Sequence, residues 1–238
     1  MKGFMLFLSL LLCCNVKGQN LQLHYDFRHS IDPGLYTINF PSMSFEYFNE
    51  NDSTGSFLFK MQTDFNGENN NPGQTFLQVT KNLRYWEPRV FLALTYSGGL
   101  GVSPPSSGFY IANSYGVGVA YPVLWKTALI HAQLGYRYNA FTKASHDLQV
   151  TLYFWIGFVN YRLQVSGSIV SWTQNRNLGT AQTQNLTGKK FAFFGDPQIW
   201  LKVGRKISIG TRLSLFFHVL TDENSLQLYP TIGLKQDF

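Results

Sequence analysis

From residue 19 to the C-terminus, apolar and polar side chains alternate in about twelve segments of roughly ten residues, each broken by Gly, Asn, Asp or Pro. From Ile207 to Val219, Ile207, Ile209, Leu213, Leu215, Phe217 and Val219 share one face, and Ser208, Gly210, Arg212, Ser214 and His218 share the other. A period of two is that of a β-strand, whose successive side chains point to opposite sides of its sheet. The first segment alternates almost without fault: Leu21, Leu23, Tyr25 and Phe27 oppose Gln22, His24, Asp26 and Arg28. Later ones repeat it, with Phe57, Phe59, Met61 and Phe65 against Lys60, Gln62 and Asp64, and Val90, Leu92, Leu94 and Tyr96 against Arg89, Phe91 and Thr95.

In the middle of the chain Tyr115, Val117, Val119 and Tyr121 oppose Ser114, Gly116, Gly118 and Ala120, while Ile130, Ala132, Leu134, Tyr136 and Tyr138 oppose His131, Gln133 and Arg137. Leu148 to Ile156 sets aliphatic residues and Phe154 against Gln149, Thr151, Tyr153 and Trp155; Tyr161 to Ile169 opposes Arg162, Gln164, Ser166 and Ser168. Phe193, Pro197, Ile199 and Leu201 face away from Phe194, Asp196, Gln198 and Trp200, and Pro197, lacking an N–H, predicts a bulge or strand end there. Weaker strands are expected from Leu35 to Phe48, where Pro41 interrupts the phase, and from Thr75 to Lys81.

Strands with one greasy and one wet face fit either a water-soluble barrel with an apolar interior, such as a lipocalin-like binder, or a membrane barrel with an apolar exterior. Four features favour the second. Lys2, the apolar run from Phe4 to Cys14 and then Val16-Lys17-Gly18-Gln19 form a secretory signal peptide, expected to be cut after Gly18. Leu12 or Cys13, rather than a small residue, precedes each cysteine, which argues against a lipid anchor. Both cysteines leave with residues 1–18, so residues 19–238 form a thiol-free single domain of a length ordinary for one barrel. After the leader no apolar stretch approaches the ~20 residues of a spanning helix, so a membrane chain must be a closed barrel.

The connections provide the second feature. Bacterial outer-membrane barrels place short turns in the periplasm and longer loops outside. Breaks at Val123 to Thr127, Gly157 to Asn160 and Gly204 to Lys206 are short, and those at Gly98 to Phe109 and Thr173 to Lys189 are long; the first hairpin disobeys, with Ser30 to Gly34 short and Asn49 to Gly55 longer. Thirdly, Thr231, Gly233 and the final Phe238 match a polar-x-Gly-x-x-aromatic-x-aromatic assembly signal, with Gln236 in place of one apolar residue; Gly233 and Phe238 would address the barrel-assembly machinery. Fourthly, Tyr25, Tyr121, Trp125, Tyr136, Tyr138, Tyr161, Trp172 and Tyr229 lie near strand ends, where the aromatic girdles that touch membrane lipid belong. The expected fold is therefore all-β: one transmembrane antiparallel barrel of about 12 strands in a Gram-negative outer membrane.

At Leu21-Gln22-Leu23-His24-Tyr25-Asp26-Phe27, Tyr85-Trp86, Asp196-Pro197-Gln198-Ile199-Trp200 and Tyr229-Pro230-Thr231-Ile232-Gly233 the chain resembles a family of Bacteroidota outer-membrane proteins related to the nucleoside-specific, Tsx-type channel-forming porins. The resemblance implies a narrow twelve-stranded lumen that passes small solutes, nucleosides among them. It carries over no binding residue.

The formal charge of +6 falls to about +4 without Lys2 and Lys17, and the basic residues sit singly among strand positions, so no phosphate-tracking stripe and no nucleic-acid partner is expected. On parity, Asp26, Arg28, Lys60, Asp64, Arg89, Arg137, Arg162, Asp196 and Arg212 are candidate lumen charges that could orient a polar solute. Phe91, Tyr153, Trp155, Phe194 and Trp200 form a candidate inward stripe on which a ring could stack, with small residues such as Ser166 and Ser168 leaving room. The alternative is that the charges pair across the lumen and plug it. A membrane phospholipase would need a Ser activated by His, usually as His-x-Ser; none of His24, His29, His131, His146 and His218 has that spacing. No metal-ligand spacing, phosphate loop or dinucleotide fingerprint is present, and no cofactor is expected.

Overall fold

A computed structural model describes residues 18–238 apart from 52, 53, 86, 88, 104–106 and 182. Residues 1–17 of the expected signal peptide, and Trp86 of the Tyr85-Trp86 island, therefore lie outside the described residues. The strands are β1 (Gln19–Asp26), β2 (Phe40–Asn51), β3 (Gly55–Asp64), β4 (Gln74–Leu83), β5 (Phe91–Ser103), β6 (Ser107–Trp125), β7 (Ala128–Asn139), β8 (Ser145–Phe158) and β9 (Leu163–Asn175), followed by β10 in two halves (Lys189–Gly195 and Gln198–Lys202), β11 (Ile207–Phe217) and β12 (Gln227–Asp237). Each pairs antiparallel with its neighbours in sequence, and β1 closes the ring on β12 from Asn20 opposite Asp237 to Asp26 opposite Thr231. Closure leaves no open edge, so the wall's backbone donors and acceptors are satisfied within the barrel.

Side-chain direction settles which way the sheet faces. Leu134, Val150, Ile209 and Ile232 are exposed on the outer surface, while Gln22, Asp26, Ser44, Gln198 and Arg212 are at most 1% exposed on the inner one. This inverts the globular rule that buries apolar groups and exposes charges. It suits an outer face wetted by hydrocarbon, and the barrel is a transmembrane one. A short α-helix, α1 (Arg28–Ile31), lies in the connection between β1 and β2.

The expected break in β10 falls at Asp196–Pro197. Pro197 cannot donate to the ladder, but its carbonyl accepts from Leu213 N at 2.9 Å, and Asp196 N reaches Ser168 O at 2.9 Å. Gly167, opposite the break, has no room for a side chain, since a Cβ there would sit 2.7 Å from the Asp196 carbonyl oxygen.

Several expectations are corrected. Strand β2 begins at Phe40, and Pro41 keeps phase on the outer face near the start of the strand, where a missing N–H is tolerated. The first hairpin obeys the short-turn rule after all: residues 27–39 connect β1 to β2 at the loop end, while β2 and β3 pair on to Asn51 opposite Gly55 at the end holding both termini. The Gly98 to Phe109 loop is mostly a hairpin, because β5 and β6 pair on to Ser103 and Ser107 across a register shift at Gly99/Leu100. Arg89 and Arg162 leave the lumen set: both are exposed in the connections before β5 and β9, where parity no longer dictates direction. Trp172 and Tyr229 leave the girdle, since each is buried on the inner face in register with Ser168 and Thr231. Tyr25, Tyr121, Trp125 and Tyr136 do lie exposed outside, whereas Tyr161, exposed in the turn after β8, stacks on the inward Trp155 and leaves the girdle too.

Replacing Leu134, at the middle of β7 on the outer face, with Arg should cost about 2–4 kcal/mol of folding free energy in lipid. Urea titration in vesicles, read by heat-modifiable gel mobility, measures it; a cost indistinguishable from zero would place Leu134 away from lipid.

Candidate functional site

The lumen divides into two halves. At the end holding the termini lies a cavity of about 520 Å³, lined by Gly18 to Asn20, by Lys235, Asp237 and Phe238, and by residues of β2, β3, β4 and β7 to β10. Toward the loop end the inner wall is packed: Asp26, Arg212 and Asn139 are 0% exposed, which a water-filled bore would not allow.

Charge pairing builds the cavity wall. Lys60 on β3 reaches across to Asp196 on β10, forming an ion pair, and lies 3.4 Å from Glu46 on β2. Asp196, freed from strand geometry by the Pro197 break, also accepts from Ser168 N and Oγ at 2.7 Å each. Gln198 Nε2 donates to Glu46 at 3.3 Å, and its Oε1 accepts from Trp200 Nε1 at 2.8 Å. Lys235 donates to Gln164 at 2.8 Å, lies 3.9 Å from Asp237 and sits 5.3 Å from the Trp200 ring centre. The opposite wall is amide and hydroxyl: Gln78 donates to the Tyr153 hydroxyl at 2.5 Å, Thr80 is 3.2 Å from it, and Asn82 links Gln133 and Ser56. His131, 2% exposed and 3.4 Å from Glu50, has neither ring nitrogen in a hydrogen bond among the described residues.

The loop half is a layer of two arginine clusters. Arg212 donates to Ser44 at 3.0 Å, Gln62 at 2.9 Å and Ser42 at 3.3 Å. Arg28 pairs with Asp26 at 3.1 Å among four rings. Gln62 and Gln74 hold the two Asp64 oxygens at 2.8 and 2.6 Å. Across the barrel Arg137 stacks 4.5 Å from the Trp172 ring centre and donates to Asn139 and Gln149 at 3.1 Å each, and Asp147 ties Thr173 and Lys189. Outside the membrane span, a 2.5 Å hydrogen bond from Lys190 holds the Asp222 carboxyl below its usual range.

The sequence candidates separate accordingly. Lys60, Tyr153, Trp155 and Trp200 line the cavity, and Asp196 braces its wall through Lys60; Asp26, Arg28, Asp64, Arg137 and Arg212 belong to the packed layer. Of the expected stacking stripe, Phe91 packs with Ala93 and Ala120, and Phe194 against Val170, Trp172 and Ala192. Trp200 has its surface taken by His24, 5.5 Å away edge-on, and by Lys235. Tyr153 and Trp155 keep partial exposure, Trp155 with Tyr161 stacked 5.7 Å away. Glu46, His131, Gln198 and Lys235 were missed as site residues. All four share the inward parity of their strands, which was the signal available.

A family model described as a domain of unknown function, DUF5020, matches residues 18–238. The chain belongs to that family. No curated protein sequence matches it. Among solved structures, a NanC porin in a rhombohedral crystal form aligns with TM-score 0.53 at 9% identity, covering 93% of this chain and 100% of that one. A KdgM porin (TM-score 0.47, 7% identity, 92% and 99% covered) and LpxR from Salmonella typhimurium (0.44, 8%, 92% and 100%) align more loosely. At such identities the NanC likeness is one of fold, and it agrees with a closed transmembrane barrel.

Replacing Lys60 with Met would leave Glu46 and Asp196 facing each other unpaired, and should lower unfolding free energy by about 3–5 kcal/mol. Adding Glu46→Gln and Asp196→Asn should recover most of the loss in the same vesicle titration. Failure to recover would mean that Lys60 acts through packing.

Proposed function

We propose that this protein is a channel-type barrel of a Gram-negative outer membrane that admits small polar solutes to a narrow lumen from the end holding its termini, which then faces the periplasm. The observation that carries this reading is the 520 Å³ cavity, whose charged groups are engaged with one another while Tyr153 and Trp155 remain partly open. Such a lining repays little of an ion's desolvation but offers hydrogen-bonding edges and ring faces to an uncharged solute. Nucleosides, which the sequence islands bring in through the Tsx-type resemblance, are one member of that class. The position of twelve strands between filled eight-stranded and open sixteen-stranded barrels supports a slot rather than a wide pore. The terminal Phe238, with Gly233, supports delivery to the membrane by the barrel-assembly machinery.

A barrel that stays shut is the second reading, and the solvent-excluded layer around Arg212 favours it. Liposome swelling separates the two. Uridine and glucose should enter proteoliposomes faster than uridine monophosphate, and Trp155→Ala should reduce the advantage of uridine over glucose about fivefold, within the range for one lost base–aromatic stack. No swelling with any of the three would remove solute passage; a phosphate-bearing solute entering fastest would remove the preference for neutral ones.

A further inference from the structure

At the loop end the guanidinium of Arg28 lies among four aromatic rings, with its central carbon 5.6 Å from the ring centre of Tyr36, 5.3 Å from Phe40, 5.3 Å from Phe216 and 5.4 Å from Tyr229. Three of these rings are inward positions of the wall, on β2, β11 and β12; Tyr36 and Arg28 both belong to the segment that joins β1 to β2. Arg28 is 3% exposed although it lies outside any strand, and Asp26 closes the box at 3.1 Å. The segment turns back on itself to make this possible: Ile31, Asp32, Leu35 and Tyr36 donate in succession to Phe27, Arg28 and Asp32 carbonyls, and the Tyr229 hydroxyl donates to Asp32 at 3.3 Å. Its middle, from Pro33 to Leu35, is exposed.

A ring box with one carboxylate is a site for a planar cation, because each aromatic face offers negative potential and the guanidinium is weakly hydrated. Here a connecting segment supplies that cation from within the chain. Without the Arg28 side chain the segment keeps Tyr36 on Tyr229, the Asp32 contact and the backbone N–H bonds of Phe27 to Pro230 O and of Arg28 to Asp26, but loses the cation that ties its turn to Phe40 and Phe216. We propose that the box of Phe40, Phe216, Tyr229 and Tyr36 is a guanidinium-binding site, self-occupied by Arg28, and that this occupancy keeps the 27–39 segment seated in the lumen and closes its loop end. When Arg28 is absent the site accepts a small free guanidinium ion.

The seating of the segment does not rest on solute passage, but the closure does, so two readouts are taken on the full mature barrel. Arg28→Ala, folded as judged by heat-modifiable mobility, should be cut by chymotrypsin at Leu35 or Tyr36 about thirtyfold faster than the parent, as the loss of one desolvated cation–π contact implies. Methylguanidinium should restore protection to Arg28→Ala, whereas methylammonium should do so less, and Arg28→Lys should fall between parent and Ala. Unchanged cleavage of Arg28→Ala would overturn the latch, and cleavage that methylguanidinium fails to slow would overturn the guanidinium site. In planar bilayers the same variant should conduct more than the parent, with methylguanidinium reversing the gain. Protection that follows the ligand while conductance stays flat would keep the site, refute closure by the segment and count against the channel reading.

Discussion

A barrel that presents hydrocarbon-facing side chains outward must turn its polar ones inward, where they have to satisfy one another or water. That constraint governs this protein more than any single contact. Its hydrophobic groups contribute by matching lipid, so a packed apolar centre of the kind found in soluble domains is reduced, among the described residues, to small clusters around Phe91 and around Trp172. What fills the interior instead is a network whose members come from strands far apart around the ring. Lys60 reaches Asp196, Arg212 reaches Ser42 and Gln62, Tyr153 meets Gln78, and Lys235 meets Gln164.

The two halves of the lumen are two solutions to that constraint. In the loop half, long cations and large rings occupy the cross-section together: a guanidinium can donate along its edge while its faces lie on Tyr, Phe or Trp, so Arg28 and Arg137 each satisfy charge and fill space at once. In the other half, shorter side chains such as Ser56, Thr80 and Ser166 leave a volume beside Lys60 and Lys235. The Asp196–Pro197 break is where the wall gives up ladder regularity to place a carboxylate between Ser168 and Lys60. A local backbone defect thus supplies a global cross-link, and the cavity lies beside it.

Strand parity was legible in the sequence because a period of two survives wherever the backbone stays extended. Leu21 to Asp26, Ile207 to Phe217 and the inward set Ser166, Ser168, Asp196 and Trp200 came out on the expected faces. Where the chain left the strand, parity lost its meaning, which is why Arg89 and Arg162 proved exposed. Arg28 also left the strand, yet a backbone turn returned its side chain to the lumen. Trp172 and Tyr229 show a different failure: nearness to a strand end does not make a residue part of an interfacial girdle, and their phase with Ser168 and Thr231 points inward.

The sequence by itself determined the class of fold and the face that each strand turns to lipid, since both follow from alternation, turn residues and the lack of any spanning helix. Only the tertiary structure decided which inward groups meet. Partners such as Lys60 and Asp196, or Arg28 and Phe216, lie many strands apart along the chain and become neighbours through ring closure and register. No local pattern encodes a distance across a lumen. For that reason the division into a packed layer and an open cavity, on which any function must rest, appeared only in three dimensions.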